Sequence, residues 1–152
     1  MLKRLSIVLI LLASVFMLGC PPSAVQDSKR YVDDAKKFVN NVQAEYPKIS
    51  EQIVIACDSK LLHENDCKNF NEVLDPSIVR SLEVLNAAIT TYQEAMASYE
   101  EAVKAGNEAN TQDAWNKVSA ALSSVIMILG DATKIYFEVL NIYKNVETLT
   151  KK

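Results

Sequence analysis

The chain has 152 residues, 49 % of them hydrophobic and 23 % charged, with a formal net charge of −3. That length suits one domain, and an acidic balance with no Lys/Arg cluster excludes a nucleic-acid surface. Three glycines and four prolines are few for the turns of a sandwich or barrel, so a chain dominated by Ala, Leu, Glu, Lys and Asn is predicted to be all-α.

The first stretch, Met1–Cys20, reads MLKRLSIVLILLASVFMLGC. Lys3 and Arg4 are followed by an uncharged run from Leu5 to Leu18, and Gly19-Cys20 closes it. A basic start, an apolar run and a small residue at the cut form a secretory signal. As a helix the apolar run would be about 21 Å long, against the roughly 30 Å of a hydrocarbon core, so a permanent span is the weaker reading. A cysteine directly after the small residue resembles the lipobox of bacterial lipoproteins, with Met17 and Leu18 in the preceding apolar places. The resemblance implies a signal peptide over residues 1–19 and a mature chain that starts at an acylated Cys20. Residues 20–22 are then a lipid-bearing cysteine with a short proline spacer, and residues 23–152 are the domain. Pro22 stands where an Asp marks inner-membrane retention, so the resemblance points to the outer membrane, facing the periplasm. The alternative is an ordinary cleaved signal followed by a chance cysteine.

With Cys20 committed to lipid, Cys57 and Cys67 remain. In an oxidising compartment an isolated pair reads as a disulfide. Positions ten apart on one straight helix lie about 15 Å apart, and a disulfide needs α-carbons within roughly 7 Å. The chain must turn between them, and Asn65-Asp66 is the expected turn. A metal site would have to recruit His63, Glu64 or Asp66, at no known metal spacing.

Ser23-Ala24-Val25-Gln26 has the form of a capping box and predicts a first helix to about Tyr46. Its stripe is Val32, Ala35, Val39, Val42 and Tyr46, with Tyr31 and Phe38 beside it. Pro47 predicts a boundary or kink, and a second helix is expected from about Lys48 to Leu62. Residues 63–74 read as an irregular connection whose Phe70, Val73 and Leu74 fold back on the domain. Asp75-Pro76 reads as N-cap and N1 of a third helix, which Gly106-Asn107 ends near Ala105. Its seam runs Ile78, Leu82, Leu85, Ile89, Tyr92, Met96, Tyr99, Val103, in steps of four and three. Asn110 is expected to cap a fourth helix from Thr111 to Leu149. Its seam is Trp115, Val118, Leu122, Val125, Leu129, Ala132, Tyr136, Val139, Tyr143 and Val146. Ile126, Met127 and Ile128 make its centre apolar all round, which predicts burial on every side. A five-residue linker, Gly106–Asn110, sets the last two helices antiparallel. The expected fold is an antiparallel up-and-down four-helix bundle with one disulfide, and the alternative is a three-helix bundle in which Pro47 kinks one helix.

Little in the chain points to catalysis. There is a single histidine, His63, and nothing gathers a nucleophile or partner for it. No phosphate loop, His-Glu-x-x-His or nucleophile elbow occurs. Asp33-Asp34 and Glu100-Glu101 are adjacent pairs, which point in different directions on a helix. No cofactor, metal or enzymatic activity is expected. Tyr92, Tyr99, Tyr136 and Tyr143 lie on inward seams, either lining a polar cleft or packing with hydroxyls reaching water.

Two function classes follow. One is a non-catalytic, membrane-anchored lipoprotein that binds or braces another envelope protein or a second copy. The other is a carrier of a small apolar ligand lined by Met127, Tyr136 and Phe137, which an enclosed cavity would favour. The overall plan is similar to that of secretion pilotins and of exclusion-type lipoproteins. The end of the fourth helix passes the start of the third, leaving Ile142, Tyr143, Val146 and Leu149 as the candidate partner-binding surface, unless residues 70–74 cover it.

Overall fold

The computed structural model describes residues 22–150. The expected signal peptide over residues 1–19, Cys20 as the expected acylation site, and Pro21 lie outside the described residues. The described chain is all-α: α1 (Pro22–Asp58), α2 (Glu64–Asn69), α3 (Asp75–Ala105) and α4 (Glu108–Thr150), with a π-helical turn, Phe70–Leu74, joining α2 to α3. Three of these helices are long and one is short. The second of the four predicted helices is not a separate element, because residues 48–58 are the far half of α1.

The reason lies at Pro47. A proline inside a helix removes one hydrogen bond and costs about 3 kcal/mol. Here the orphaned carbonyl belongs to Gln43, and Gln43 and Pro47 are both exposed, so water can replace the lost donor. Val42, Tyr46, Ile49 and Ile53 are all buried on one face that continues past the proline. Continuous burial outweighs a local penalty on the wet side. At the other end Ser23 lies inside the described helix rather than capping it.

Two contacts place α1 antiparallel to α3: the Tyr92 hydroxyl meets Ser28 Oγ at 2.7 Å, and the Tyr46 hydroxyl donates to Asp75 Oδ1. On α4, Tyr136 meets Phe38 edge-on at 6.1 Å between ring centroids and donates to Glu45 Oε2 at 3.2 Å. Farther along, Val146 and Thr150 share a groove with Gln52 and Ala56, so α1 and α4 run parallel. Tyr99 lies 5.3 Å from Trp115 across the α3–α4 hairpin. The core between the three long helices holds Ala35, Ile53, Ile78, Leu85, Val118, Val125, Ala132 and Val139, all fully buried.

The hairpin turn is tighter than the linker predicted from sequence. Gly106 adopts φ +70°, the left-handed cap, and its N–H donates to the Val103 carbonyl at 3.1 Å. Asn107, not Asn110, caps α4: its Oδ1 accepts from the Asn110 N–H at 3.2 Å. Asp75 likewise does not cap α3, because the π turn runs into α3 without a break and the Asp75 carboxylate receives Tyr46 instead.

The interior tyrosines thus find intramolecular partners. Ser28 donates to the Val25 carbonyl at 2.8 Å, leaving Tyr92 to donate to Ser28. Burial raises the Tyr46 and Tyr92 hydroxyls above their usual range. Burial, together with the Glu45 charge, pushes Tyr136 up to about 12. A raised folded-state value means the folded chain keeps protons that the unfolded chain releases near pH 10. The stabilisation is whole below about pH 10 and is lost as pH rises toward about 12. The expected result is a melting temperature that declines steeply above about pH 10, with a shallower decline in Tyr136→Phe. Parallel pH–melting curves for both proteins would show that Tyr136 does not contribute.

Candidate partner-binding surface

The surface lies at the end of the molecule where α1 and α4 finish. After Asp58 the chain reverses at Ser59-Lys60, not at Asn65-Asp66. Lys60 takes φ +56°, a left-handed position with no glycine to relieve it. The Lys60 N–H donates to the Cys57 carbonyl at 3.0 Å and the Leu61 N–H to the Ala56 carbonyl at 2.9 Å. This pair of bonds is the Schellman arrangement, and it sets Leu61 beside Ala56.

His63 follows, exposed, and its Nδ1 accepts from the Asn65 N–H at 3.3 Å, so the histidine caps α2. Asn65 and Asp66 lie in the first turn of that helix. None of the residues in α2 is buried. It is held by the Cys57–Cys67 disulfide, with α-carbons 5.7 Å apart, and by the buried Leu62 and Phe70 on either side. Closing so short a loop stabilises by roughly 2–3 kcal/mol on a chain-entropy argument. Intact mass after alkylation without reductant is expected to show neither Cys57 nor Cys67 modified, and the Cys57→Ser/Cys67→Ser variant to lose about that much in a urea titration. Two alkylated thiols would refute the bond.

Ile55, Leu61 and Val146 line an open groove of about 320 Å³, rimmed by Gln52 and Thr150. Ile55 is 55 % exposed, and Leu61 and Leu149 are exposed with it. Of the four residues picked from sequence, Leu149 is at the surface, Tyr143 is half-buried against the core, and Ile142 and Val146 are buried, Val146 as the floor of the groove. The structure therefore separates them: Ile142 and Val146 belong to the packed interior, Tyr143 packs against it, and Leu149 is exposed. Ile55 and Leu61 were not picked. The signal for Ile55 was present in the run Ile53-Val54-Ile55, since only Ile53 can sit on the seam. Leu61 carried none, because its position depends on the left-handed Lys60.

Two further grooves lie elsewhere. One, of about 320 Å³ between α1 and α3, is edged by Lys29, Asp33, Lys36 and Glu100. Lys29 Nζ donates to Glu100 Oε1 at 2.9 Å across it, and that hydrogen bond holds the Glu100 carboxyl below its usual range. The other lies at the hairpin tip beside Val103, Gly106 and Trp115. Both open to solvent. Met127 and Phe137, proposed from sequence as carrier lining together with Tyr136, point outward at 66 % and 51 % exposure, whereas Tyr136 is engaged with Phe38 and Glu45. The expectation that α4 is buried on every side fails at Met127: the helix lies at one side of the packing and keeps an outer face.

The chain matches no family model, no curated protein and no solved structure.

Proposed function

We propose that this protein is a membrane-anchored bacterial envelope lipoprotein, without catalytic activity, whose helical domain binds or braces another envelope protein. The observation that carries the reading is Cys20, placed directly after Gly19 at the end of an uncharged apolar run and two residues before Pro22, which is already helical. More than one acyl chain on that cysteine makes attachment durable, since each buried methylene adds about 0.8 kcal/mol. Ile55 and Leu61, exposed along one groove, support a protein partner: apolar side chains grouped at one end are the pattern of an interaction site. Grooves open to solvent fit a protein contact better than an enclosed apolar ligand. Localisation at the outer membrane, facing the periplasm, rests on Pro22 in the sorting position. Pilotin-like and exclusion-type roles remain particular forms of the same reading.

The test has two arms. A fatty-acid probe is expected to label wild type and not Cys20→Ser, and equal labelling of both would sink the anchor. Affinity capture from the native envelope is expected to lose its partner in Ile55→Ser/Leu149→Ser, both exposed positions, at an unchanged melting temperature. Unchanged capture would rule this end of the molecule out.

A further inference from the structure

An 18-residue stretch of α4 has a mean hydropathy of 1.4, yet only 22 % of it is buried. The inner side is occupied by α1 and α3 through Val118, Val125, Ala132 and Val139. The outer side carries Met127 and Phe137, with Gly130 between them, also exposed. A Cβ added at Gly130 would meet nothing within 4 Å. Glycine in a helix interior costs roughly 1 kcal/mol relative to alanine, and nothing inside this chain calls for it. From residue 118 to residue 137 the only charges are Asp131 and Lys134. They pair with each other at 3.4 Å and stand well out in solvent.

We infer that this outer face of α4 binds the same face of a second copy of the chain, antiparallel about a two-fold axis near Gly130. Self-complementary charge selects the occupant. In an antiparallel pair crossing near Gly130, each Lys134 side chain leans back along its helix toward Asp131 of the other copy, giving two symmetric ion pairs. A parallel pair would set like against like. The chain as a whole is acidic, whereas the Asp131 and Lys134 charges on this face cancel. An anionic lipid surface gains nothing from a face with no net charge. The bare Gly130 lets the two helix backbones approach, while Met127 and Phe137 pack on either side of the crossing. The face is about 30 Å long and roughly 10 Å wide, on the order of 300 Å² per copy, below the ~800 Å² per partner of a standard interface. The association is therefore weak in dilute solution, and confinement in a shared membrane raises it through effective concentration. This face is separate from the groove at Ile55 and Leu61, so its failure leaves the proposed partner contact untouched.

The experiment uses the full chain in isolated membranes, with Gly130→Cys and oxidative cross-linking. The expected product is a disulfide-linked dimer, with no dimer from Glu83→Cys, an exposed position on α3. In the Gly130→Cys background, Asp131→Lys is expected to lower the yield about tenfold, and Asp131→Lys/Lys134→Asp to restore it. Gly130→Leu is expected to keep or raise the melting temperature, since leucine is the better helix former, while abolishing co-capture of two differently tagged copies. Equal dimer from both cysteine positions, indifference to Asp131→Lys, or cross-linking only to a different protein would each overturn the inference.

Discussion

Val125→Asp is expected to unfold the domain at physiological temperature, with a loss above about 4 kcal/mol. Val125 is 0 % exposed, on the inner face of α4. An aspartate there must either ionise with no partner or stay protonated while leaving its oxygens without donors. Both routes are costly, and small domains hold only about 5–15 kcal/mol in total. Met127 lies two residues on, in the same unbroken apolar run, and faces out. Met127→Asp is expected to change folding stability by no more than about 0.5 kcal/mol, as is Glu101→Ala. Circular dichroism melts of the three variants check this. A Val125→Asp melt matching wild type would mean that α4 packs through a different face.

Phe70→Ala is expected to cost about 3–5 kcal/mol. Phe70 is the largest of the fully buried side chains, at 1 % exposure, although it sits in a connection with no long helix of its own. The disulfide anchors the chain three residues before it at Cys67, and Leu74 is buried four residues after it. With both flanks pinned the site cannot collapse onto the cavity, which places the cost toward the upper end. Val73, in the same turn, is exposed, and Val73→Ala is expected to be nearly neutral. Urea titration separates the two, and similar midpoints would show that the π turn does not cover the core.

What the sequence reveals here is mostly what depends on spacing. Val32, Ala35, Val39, Val42 and Tyr46 step by threes and fours and are all buried, as are Ile78, Leu82, Leu85, Ile89, Tyr92 and Met96. The Cys57–Cys67 bond and the stop at Gly106 were likewise legible, the one from an isolated cysteine pair in a chain read as exported and the other from a residue suited to positive φ. The misses share a cause: each turned on a comparison between a local rule and the rest of the fold. Pro47 obeys a strong local rule that is overruled because the residues on both sides are buried along one line. Asn107 and Asn110 are both good caps, and nothing local chooses between them. Lys60 takes a left-handed conformation that lysine does not advertise. The outer face of α4 was misread as core because hydropathy registers greasiness and not direction. Where charges are scarce, a helix does not label its wet side. The groove at Ile55 and Leu61 was legible only in part, since it is assembled from a turn and two helix ends distant in sequence.

The two-residue turn at Gly106-Asn107 also has a consequence for how the molecule comes to exist. Because α3 and α4 are joined so tightly, most of their pairing is local, and the entropy of closing the loop between them is small. Local contacts form early, so the hairpin can assemble as a unit and offer α1 a finished surface on which to dock. A chain led across a membrane by its N-terminus delivers these pieces in the opposite order. The earliest helix to emerge, α1, carries an apolar stripe from Val32 to Ile53 whose partners arrive last. On the proposed export route that stripe would wait uncovered, and the domain would close only once the far end of α4 had come through.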